Sequence, residues 1–455
     1  MPMLGIICFF EKRNRKKVSG ILIAGAGYGG LTAAINLAKK GLFVTVVEEK
    51  QECEAGHDWH DSFDINAFEK SGISVPDSDM YRNAKYHGYI NPSASSAKIT
   101  LPSKESTIVM DRRILTSYLI ECAKEVGVTF RFGEKICSPI VNQNNRVRGV
   151  VTQKDGRKHI YESDLLIDSA GMYSPVRSNL PQGCGIQKGF DEKNIFHIFR
   201  AYYKNSTGEV SQPSYLINLF HLNRPGIDWT SGNKEYVDVL IGKFGTAGKL
   251  SQQDVDDALN DYRKNYPYID HKTIRGGIFA DIPLTKMLPL IVCDGYAAVG
   301  DSAGMVQPLN GCGIALSMQA GKILADAVAG SKGHYTKETL WKYQYEYFCK
   351  FGKSLVLLNK IKDLCLHVRS KDIDALLESD IVNMSIEQII NSGKINLNIR
   401  NYLKILYSLP QFSSLFLPFC RSLFCMPFLM MAILIMPEKY DAEKVKKWMK
   451  IYEKI

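Results

Sequence analysis

The feature that most constrains this chain is Gly25-x-Gly27-x-x-Gly30, set between an apolar run and a stretch of helical period. Residues 21–24 read Ile-Leu-Ile-Ala, a run without polar alternation, as expected of a strand buried on both faces of a parallel sheet. Residues 31–40 carry helical periodicity, and 43–47 form a second strand that ends at Glu48. Strand, glycine turn, helix and strand make one βαβ unit. In such a unit Gly25 permits the tight turn, Gly27 lets backbone approach a pyrophosphate, and Gly30 lets helix and strand pack closely. The pyrophosphate then rests on amides at the helix N-terminus, where the dipole favours negative charge. Glu48, 23 residues after Gly25, is placed to accept hydrogen bonds from ribose hydroxyls. The combination predicts a dinucleotide-binding domain of α/β class.

The remainder of the 455 residues exceeds one ordinary core, so about two or three domains are expected. A helix is predicted over 113–126 after extended residues 107–110, with further strands at 129–132, 147–153 and 165–167. Residues 190–275 change character. Aromatic and β-branched runs such as 195–203 and 236–241 are separated by Gly, Asn, Pro and Ser, which predicts an antiparallel sheet. Strand, glycine-rich loop and long helix return over 297–329, and after about residue 333 the pattern is helical. The predicted organisation is a discontinuous nucleotide domain (18–70, 100–180 and 276–335), a β-rich substrate domain (71–99 and 181–275), and a helical C-terminal region (336–455).

The formal charge is +10, and much of the excess lies at the two ends. Residues 12–17 read Lys-Arg-Asn-Arg-Lys-Lys, and Lys444, Lys446, Lys447, Lys450 and Lys454 crowd the last dozen. Basic ends suit an anionic surface such as a membrane, or an acidic substrate, although a solvated charge run reads the same way. No nucleic-acid partner is expected. Eleven cysteines without a C-x-x-C pair argue against a disulfide framework, a zinc site or a cysteine-ligated cluster, and point to thiols in a reducing cytoplasm. The short apolar run 4–10 is followed, not preceded, by its basic cluster, unlike a secretory signal.

Three further segments decide which dinucleotide is held. Val299-Gly-Asp301-Ser-Ala-Gly-Met-Val-Gln-Pro308-Leu-Asn-Gly311-Cys-Gly313 precedes a helix starting at Ile314. This stretch resembles the second FAD signature of the flavoprotein family that includes p-hydroxybenzoate hydroxylase and geranylgeranyl reductase. The resemblance implies that Asp301 holds the ribitol chain of FAD. It also implies that Pro308, Gly311, Gly313 and Ile314 bring a helix N-terminus to the flavin pyrimidine edge, where that dipole stabilises anionic reduced flavin. Asp111-Arg112-Arg113 is similar to the family's Asp-Arg before a helix, which places Arg112 near the pyrophosphate. Asp168-Ser-Ala170-Gly171-Met-Tyr-Ser-Pro-Val-Arg177 resembles its strand-and-turn motif, but Ala170 stands where the hydroxylases carry the Asp that serves FAD and NAD(P)H. The resemblance implies a Rossmann-type FAD-binding domain with an inserted antiparallel β-rich substrate domain and a helical C-terminal region.

Within that family the glycine-rich loop is most similar to the geranylgeranyl reductase and FixC-like branch. The implied activity is reduction of C=C bonds in a hydrophobic, isoprenoid (geranylgeranyl or polyprenyl) lipid, with the electron donor open among NAD(P)H, ferredoxin and quinol. A dry apolar tunnel would be needed, for which 20 Phe and 23 Tyr are available, though any one of them also serves as ordinary core. The branch's Tyr-x-Trp-x-Phe-Pro is missing: Tyr236-Val-Asp-Val-Leu-Ile-Gly-Lys-Phe lacks the Trp and Pro. A Cys-Gly common after the second strand is replaced by Gly56-His57-Asp58-Trp59-His60-Asp61. His57 or His60 could donate a proton near flavin, tuned by Asp58 or Asp61; a surface loop or a metal site are the other readings. Two other readings of the whole chain stay open, a flavin monooxygenase or halogenase, and a FixC-like electron-transfer flavoprotein passing electrons to quinone. Residues 413–437 form the most apolar stretch, broken by Arg421 and two prolines and followed by a basic helix. This reads either as a candidate membrane contact over 413–455, peripheral on the cytoplasmic face, or as a hydrophobic cap over the tunnel.

Overall fold

The apolar run of residues 21–24 lies at the centre of a parallel sheet, every residue buried. The computed structural model describes residues 15–17, 20–84, 88–90, 106–208, 215–366 and 413–455. In chain order the first elements are β1 (Arg15–Lys17), β2 (Ile21–Ala24), α1 (Tyr28–Ala38) and β3 (Val44–Val47), then β4 (His60–Asp64), α2 (Asn66–Lys70), β5 (Tyr81–Asn83) and β6 (Gly88–Ile90). Next come β7 (Thr107–Asp111), α3 (Arg112–Glu125), β8 (Thr129–Arg131), β9 (Lys135–Val141), β10 (Val147–Lys154), β11 (Arg157–Glu162), β12 (Leu165–Asp168) and α4 (Pro175–Ser178). The β-rich part holds β13 (Ile195–Asn205), β14 (Tyr215–Leu219), β15 (Ile227–Gly232), β16 (Tyr236–Phe244), α5 (Gln252–Asn265) and β17 (Ile269–Pro283). It is followed by β18 (Val292–Cys293), β19 (Tyr296–Ala298), α6 (Ile314–Gly330), α7 (Lys337–Tyr347), a π-helical turn at Phe348–Gly352, α8 (Lys353–Cys365), α9 (Ser413–Leu434) and α10 (Ala442–Glu453).

The nucleotide-binding sheet runs β18-β19-β12-β2-β3-β8, parallel except for the short β18–β19 pair. Helix α1 is buried on nearly every side, as a helix must be when it lies between a sheet and other helices. It meets α6 backbone to backbone: a Cβ added at Gly321 would lie 2.2 Å from the Gly29 carbonyl oxygen. That contact fixes the two helices against each other. A second sheet, β1-β11-β10-β9, flanks this core, and a third, β4-β7-β5, carries the loop after β3.

The large sheet runs β17-β13-β16-β15-β14-β6, antiparallel except for β14–β6. The segment 71–99 therefore contributes to two sheets, β5 to the three-stranded one and β6 to the large one. Strand β17 crosses residue 275 and continues to Pro283. Alternation along β13 separates two faces. Phe199, Ala201 and Tyr203 pack on Val255, Ala258, Leu259 and Tyr262 of α5. Phe196, Ile198 and Tyr202 turn the other way, against Trp59, Leu240, Leu284 and Val306. The helical C-terminal layer shares the core of the nucleotide domain through Leu429, Ala432, Trp448 and Tyr452. The nine cysteines whose side chains are described are free thiols, and no cluster among the described residues could hold a metal ion. No described helix is long and apolar enough to cross a membrane.

Candidate active site

The glycine turn closes at the carboxyl end of β2. Gly25 has φ +87° and donates its N–H to the Val47 carbonyl at 2.8 Å. A Cβ on Gly27 would meet Ser169 Oγ at 2.5 Å and the Ser169 carbonyl at 2.9 Å. Gly30 donates its N–H to Ser169 Oγ at 3.1 Å, which ties α1 to the end of β12. Gly27 caps α1 with no side-chain bond, and the first turn holds no acid. The positive end of the helix is therefore left without a side-chain cap or a first-turn acid. Glu48 lies beside it, accepting from the Ala26 amide at 2.7 Å and the Lys50 amide at 3.0 Å.

A second uncapped helix end stands nearby. Gly313 precedes α6 without a side-chain cap, Ile314 begins the helix, and its first turn has no acid. Pro308 is buried in the preceding loop and Gly311 has φ +71°. Half-buried Asp301 leads into this loop, and its carboxylate has no hydrogen-bond partner among the described residues. Desolvation raises the pKa of Asp301, against the pull of Arg112. Cys312 touches solvent, yet desolvation by the surrounding protein, with Asp61 adding to it, pushes its thiol up to about 12.

Asp168 is fully buried and engaged: it accepts from Ser174 Oγ at 2.6 Å, the Tyr296 hydroxyl at 2.8 Å, Ser302 Oγ at 3.1 Å and the Ala170 amide at 3.1 Å. It braces the turn around Gly171 against the segment carrying Asp301. Buried Arg177 adds a bond to the Ser302 carbonyl at 3.2 Å.

Arg112 begins α3, where Asp111 caps the helix by accepting from the Arg113 amide at 2.8 Å. Its Nε donates to the Tyr28 hydroxyl at 2.9 Å, and its Nη1 lies 3.3 Å from Asp61. This brings Arg112 to the start of α1. The guanidinium also lies over the Trp59 ring at 5.8 Å.

The His-Asp-Trp-His-Asp loop sits against the large sheet. His57 stacks on Trp59 with ring centroids 4.4 Å apart. Burial, with Arg112 and Lys50 close by, pulls His57 down to about 3. His60 lies parallel to Tyr236 at 6.3 Å and edge-on to Tyr202 at 5.7 Å. Its Nε2 is 3.8 Å from Asp111, and its buried Nδ1 has no partner among the described residues. Burial, with Arg275 second, also lowers His60. Asp58 pairs with Arg275 at 2.7 Å, and Asp61 with Arg200 at 2.9 Å.

Sequence reasoning missed Arg200, Asp238 and Arg275. Arg200 is buried on the same face of β13 as Ile198 and Tyr202, bonded to Asp238 at 2.7 and 3.0 Å and to Asp61. Arg275 joins Asp58 to Asp111. One signal was present: an Arg inside the run Ile-Phe-His-Ile-Phe-Arg-Ala-Tyr-Tyr must find buried partners.

The comparisons with known proteins fit this geometry. A family model described as FAD dependent oxidoreductase matches residues 20–172. Digeranylgeranylglycerophospholipid reductase 2 of Methanococcoides burtonii is 26% identical over 370 residues, 79% of this chain and 87% of the relative. Digeranylgeranylglycerophospholipid reductase of Methanocaldococcus jannaschii is 24% identical over 383 residues, 81% and 92% of the two chains. A geranylgeranyl bacteriochlorophyll reductase-like protein from Thermoplasma acidophilum superposes with a TM-score of 0.69 at 17% identity, over 88% of this chain and 97% of that one. A flavin-dependent brominase superposes with a TM-score of 0.63 at 16% identity, over 86% and 99%. The last two likenesses speak to the fold alone. Fold, site and relatives define the class: the chain is an FAD-dependent oxidoreductase, an enzyme with FAD as its cofactor. Within that class it is similar to relatives named digeranylgeranylglycerophospholipid reductase.

Proposed function

We propose that this enzyme reduces C=C bonds of a hydrophobic isoprenoid lipid. The observation that carries the reading is the buried apolar cluster of Trp59, Phe196, Ile198, Tyr202, Leu240 and Leu284, which includes Val306 of the glycine-rich loop. The relatives' names supply the substrate class: they are reductases of digeranylgeranylglycerophospholipid.

Gly25, Gly27, Gly30 and the open end of α1 would hold the FAD pyrophosphate, with Arg112 beside it and Glu48 on the ribose. Asp301 would take the ribitol hydroxyls, and Pro308, Gly311, Gly313 and Ile314 would set the α6 dipole against the pyrimidine edge. When bound and reduced, FAD supplies a hydride equivalent. An unactivated alkene develops no oxyanion, so the protein's part is to position the chain and exclude water. Trp59, held flat by His57 and by its Nε1 bond to Asp61 at 3.2 Å, belongs to that apolar cluster. His60 is our candidate for handling the proton, because its Nδ1 is unpaired among the described residues and its ring is fixed between Tyr202 and Tyr236. It is neutral at pH 7, since burial disfavours the imidazolium.

We also place the reaction at the cytoplasmic face of a membrane. Phe424, Phe428, Met430, Met431, Leu434 and Ile435 are exposed along α9 and just beyond it, next to the lysines of α10. An apolar helix face bordered by cations suits a bilayer interface.

The test is anaerobic. The flavin is reduced with dithionite and the protein is mixed with polyprenyl lipid. Return of the yellow colour, with lipid mass rising by two hydrogens per bond, is expected. Reoxidation only when oxygen is admitted would favour a monooxygenase or halogenase. Reoxidation only by a soluble quinone would favour a FixC-like electron carrier.

A further inference from the structure

Away from the flavin site, α10 and the start of α7 enclose a surface pocket of about 300 Å³. The hairpin residue Asp294, whose carboxylate accepts from the Lys337 amide at 2.8 Å, marks the amino end of β19. The opposite end of that strand leads into Gly300 and Asp301. The pocket therefore lies across the sheet from the chemistry.

Its lining divides by chemistry. Lys337, Lys446 and Lys450 surround it, with Tyr440, while Leu290 and Met449 supply apolar wall. Glu453 is the acid among the lining residues. None of the three lysines forms an ion pair among the described residues. Three ammonium groups around one partly apolar concavity carry more charge than Glu453 and the capping Asp294 balance. Helix α10 is also clamped to α9, because Trp448 Nε1 donates to the Ala432 carbonyl at 2.9 Å. The pocket thus belongs to the layer that exposes Phe424, Phe428 and Leu434.

We propose that this pocket binds the phosphate of an anionic phospholipid, with the glycerol and first methylenes against Leu290 and Met449. The proposal rests on the membrane reading of α9 and adds to it a discrete headgroup site, which would seat the C-terminal layer in one orientation on the bilayer. Charge alone attracts lysines diffusely, by about 1 kcal/mol per residue; a pocket makes the position of each lysine matter.

The experiment compares two double variants of the full-length holoenzyme on the same helix. Lys446→Gln/Lys450→Gln removes pocket lysines, and Lys444→Gln/Lys447→Gln removes the same charge from exposed positions outside the pocket. Sedimentation with vesicles of phosphatidylcholine, with and without phosphatidylglycerol, reads partition. The first variant should lose about tenfold more affinity for the anionic vesicles than the second, with binding to neutral vesicles unchanged. Equal losses, or a wild type that ignores phosphatidylglycerol, would overturn the pocket and leave the membrane reading standing. Failure of wild type to bind any vesicle would overturn that reading. In that case, thermal stabilisation of wild type by glycerol 3-phosphate or inorganic phosphate, absent in the Lys446→Gln/Lys450→Gln variant, would assign the pocket to a soluble phosphate and overturn the lipid assignment.

Discussion

A carboxylate that accepts no hydrogen bond is costly in a desolvated site, and Asp301 is such a group. The cost is understandable if its partners are the hydroxyls of FAD. Asp301→Ala should therefore yield colourless protein whose apo form melts no lower than wild-type apoprotein. Full flavin occupancy in the variant would remove Asp301 from the cofactor site, and a large drop in melting temperature would assign it to the fold. His57 makes a second residue-scale prediction. Its folded pKa of about 3 lies below the unfolded value of 6.5, so between those values the unfolded chain binds the extra proton. Stability from this residue is complete above pH 6.5 and is lost as pH falls towards 3, at about 1.4 kcal/mol per pH unit at most. His57→Phe keeps a ring on Trp59 and should flatten the fall in melting temperature between pH 6.5 and 4.5. An unchanged slope would place the titrating group elsewhere. At this scale the sequence was legible where chemistry is local: Gly25, Gly27, Gly30 and Glu48 lie around one turn. Asp168 was harder to read, because two of its four donors, Tyr296 and Ser302, come from distant segments.

At the scale of elements, the joint between the flavin loop and the large sheet is a buried charge network. Arg200 of β13 binds Asp238 of β16 and Asp61 of β4, while Arg275 of β17 holds Asp58 and Asp111. Removing one partner leaves the other charge desolvated, so Asp238→Ala should cost about 3–5 kcal/mol in urea unfolding. Arg200→Met/Asp238→Leu should cost much less, because both charges go and Asp61 keeps Arg112 at 3.3 Å. Equal losses in the single and double variants would mean that shape, not charge, holds the joint. None of this pairing was readable from the chain, since Asp238 and Asp61 lie 38 and 139 residues from Arg200. Helix α5 was readable and overlooked among strands: Ser251 and Asp254 form a capping box, and Val255, Ala258, Leu259 and Tyr262 recur with helical spacing. Strand β17 was hidden for a physical reason. Gly276 and Gly277 both have positive φ, and the register against β13 shifts there, so the alternation breaks in mid-strand.

Over the whole molecule, the C-terminal helices connect the apolar cluster around Leu284 to the exposed apolar face. Lys362 of α8 donates to the carbonyl of Leu284 at 2.7 Å, and Leu284 belongs to the buried cluster that includes Val306. Tyr452 of α10 donates to the Met287 carbonyl at 2.8 Å, three residues further on. Helix α9 has two faces: Leu429 and Ala432 face the core while Phe424, Phe428 and Leu434 face out, so membrane contact and cap are two readings of one layer. The two roles separate kinetically. If the outer face delivers lipid, Phe424→Ser/Phe428→Ser/Leu434→Ser should raise KM for a polyprenyl lipid held in vesicles by roughly tenfold or more, because each buried apolar side chain contributes about 1.5–3 kcal/mol on full transfer and an interfacial helix buries only part of it. A short prenyl substrate in free solution does not need the bilayer, so its kcat/KM should be unchanged in the same variant. Equal loss on both substrates would mean that α9 works as a cap over the substrate site. No loss on either would leave the exposed face of α9 without a part in the reaction.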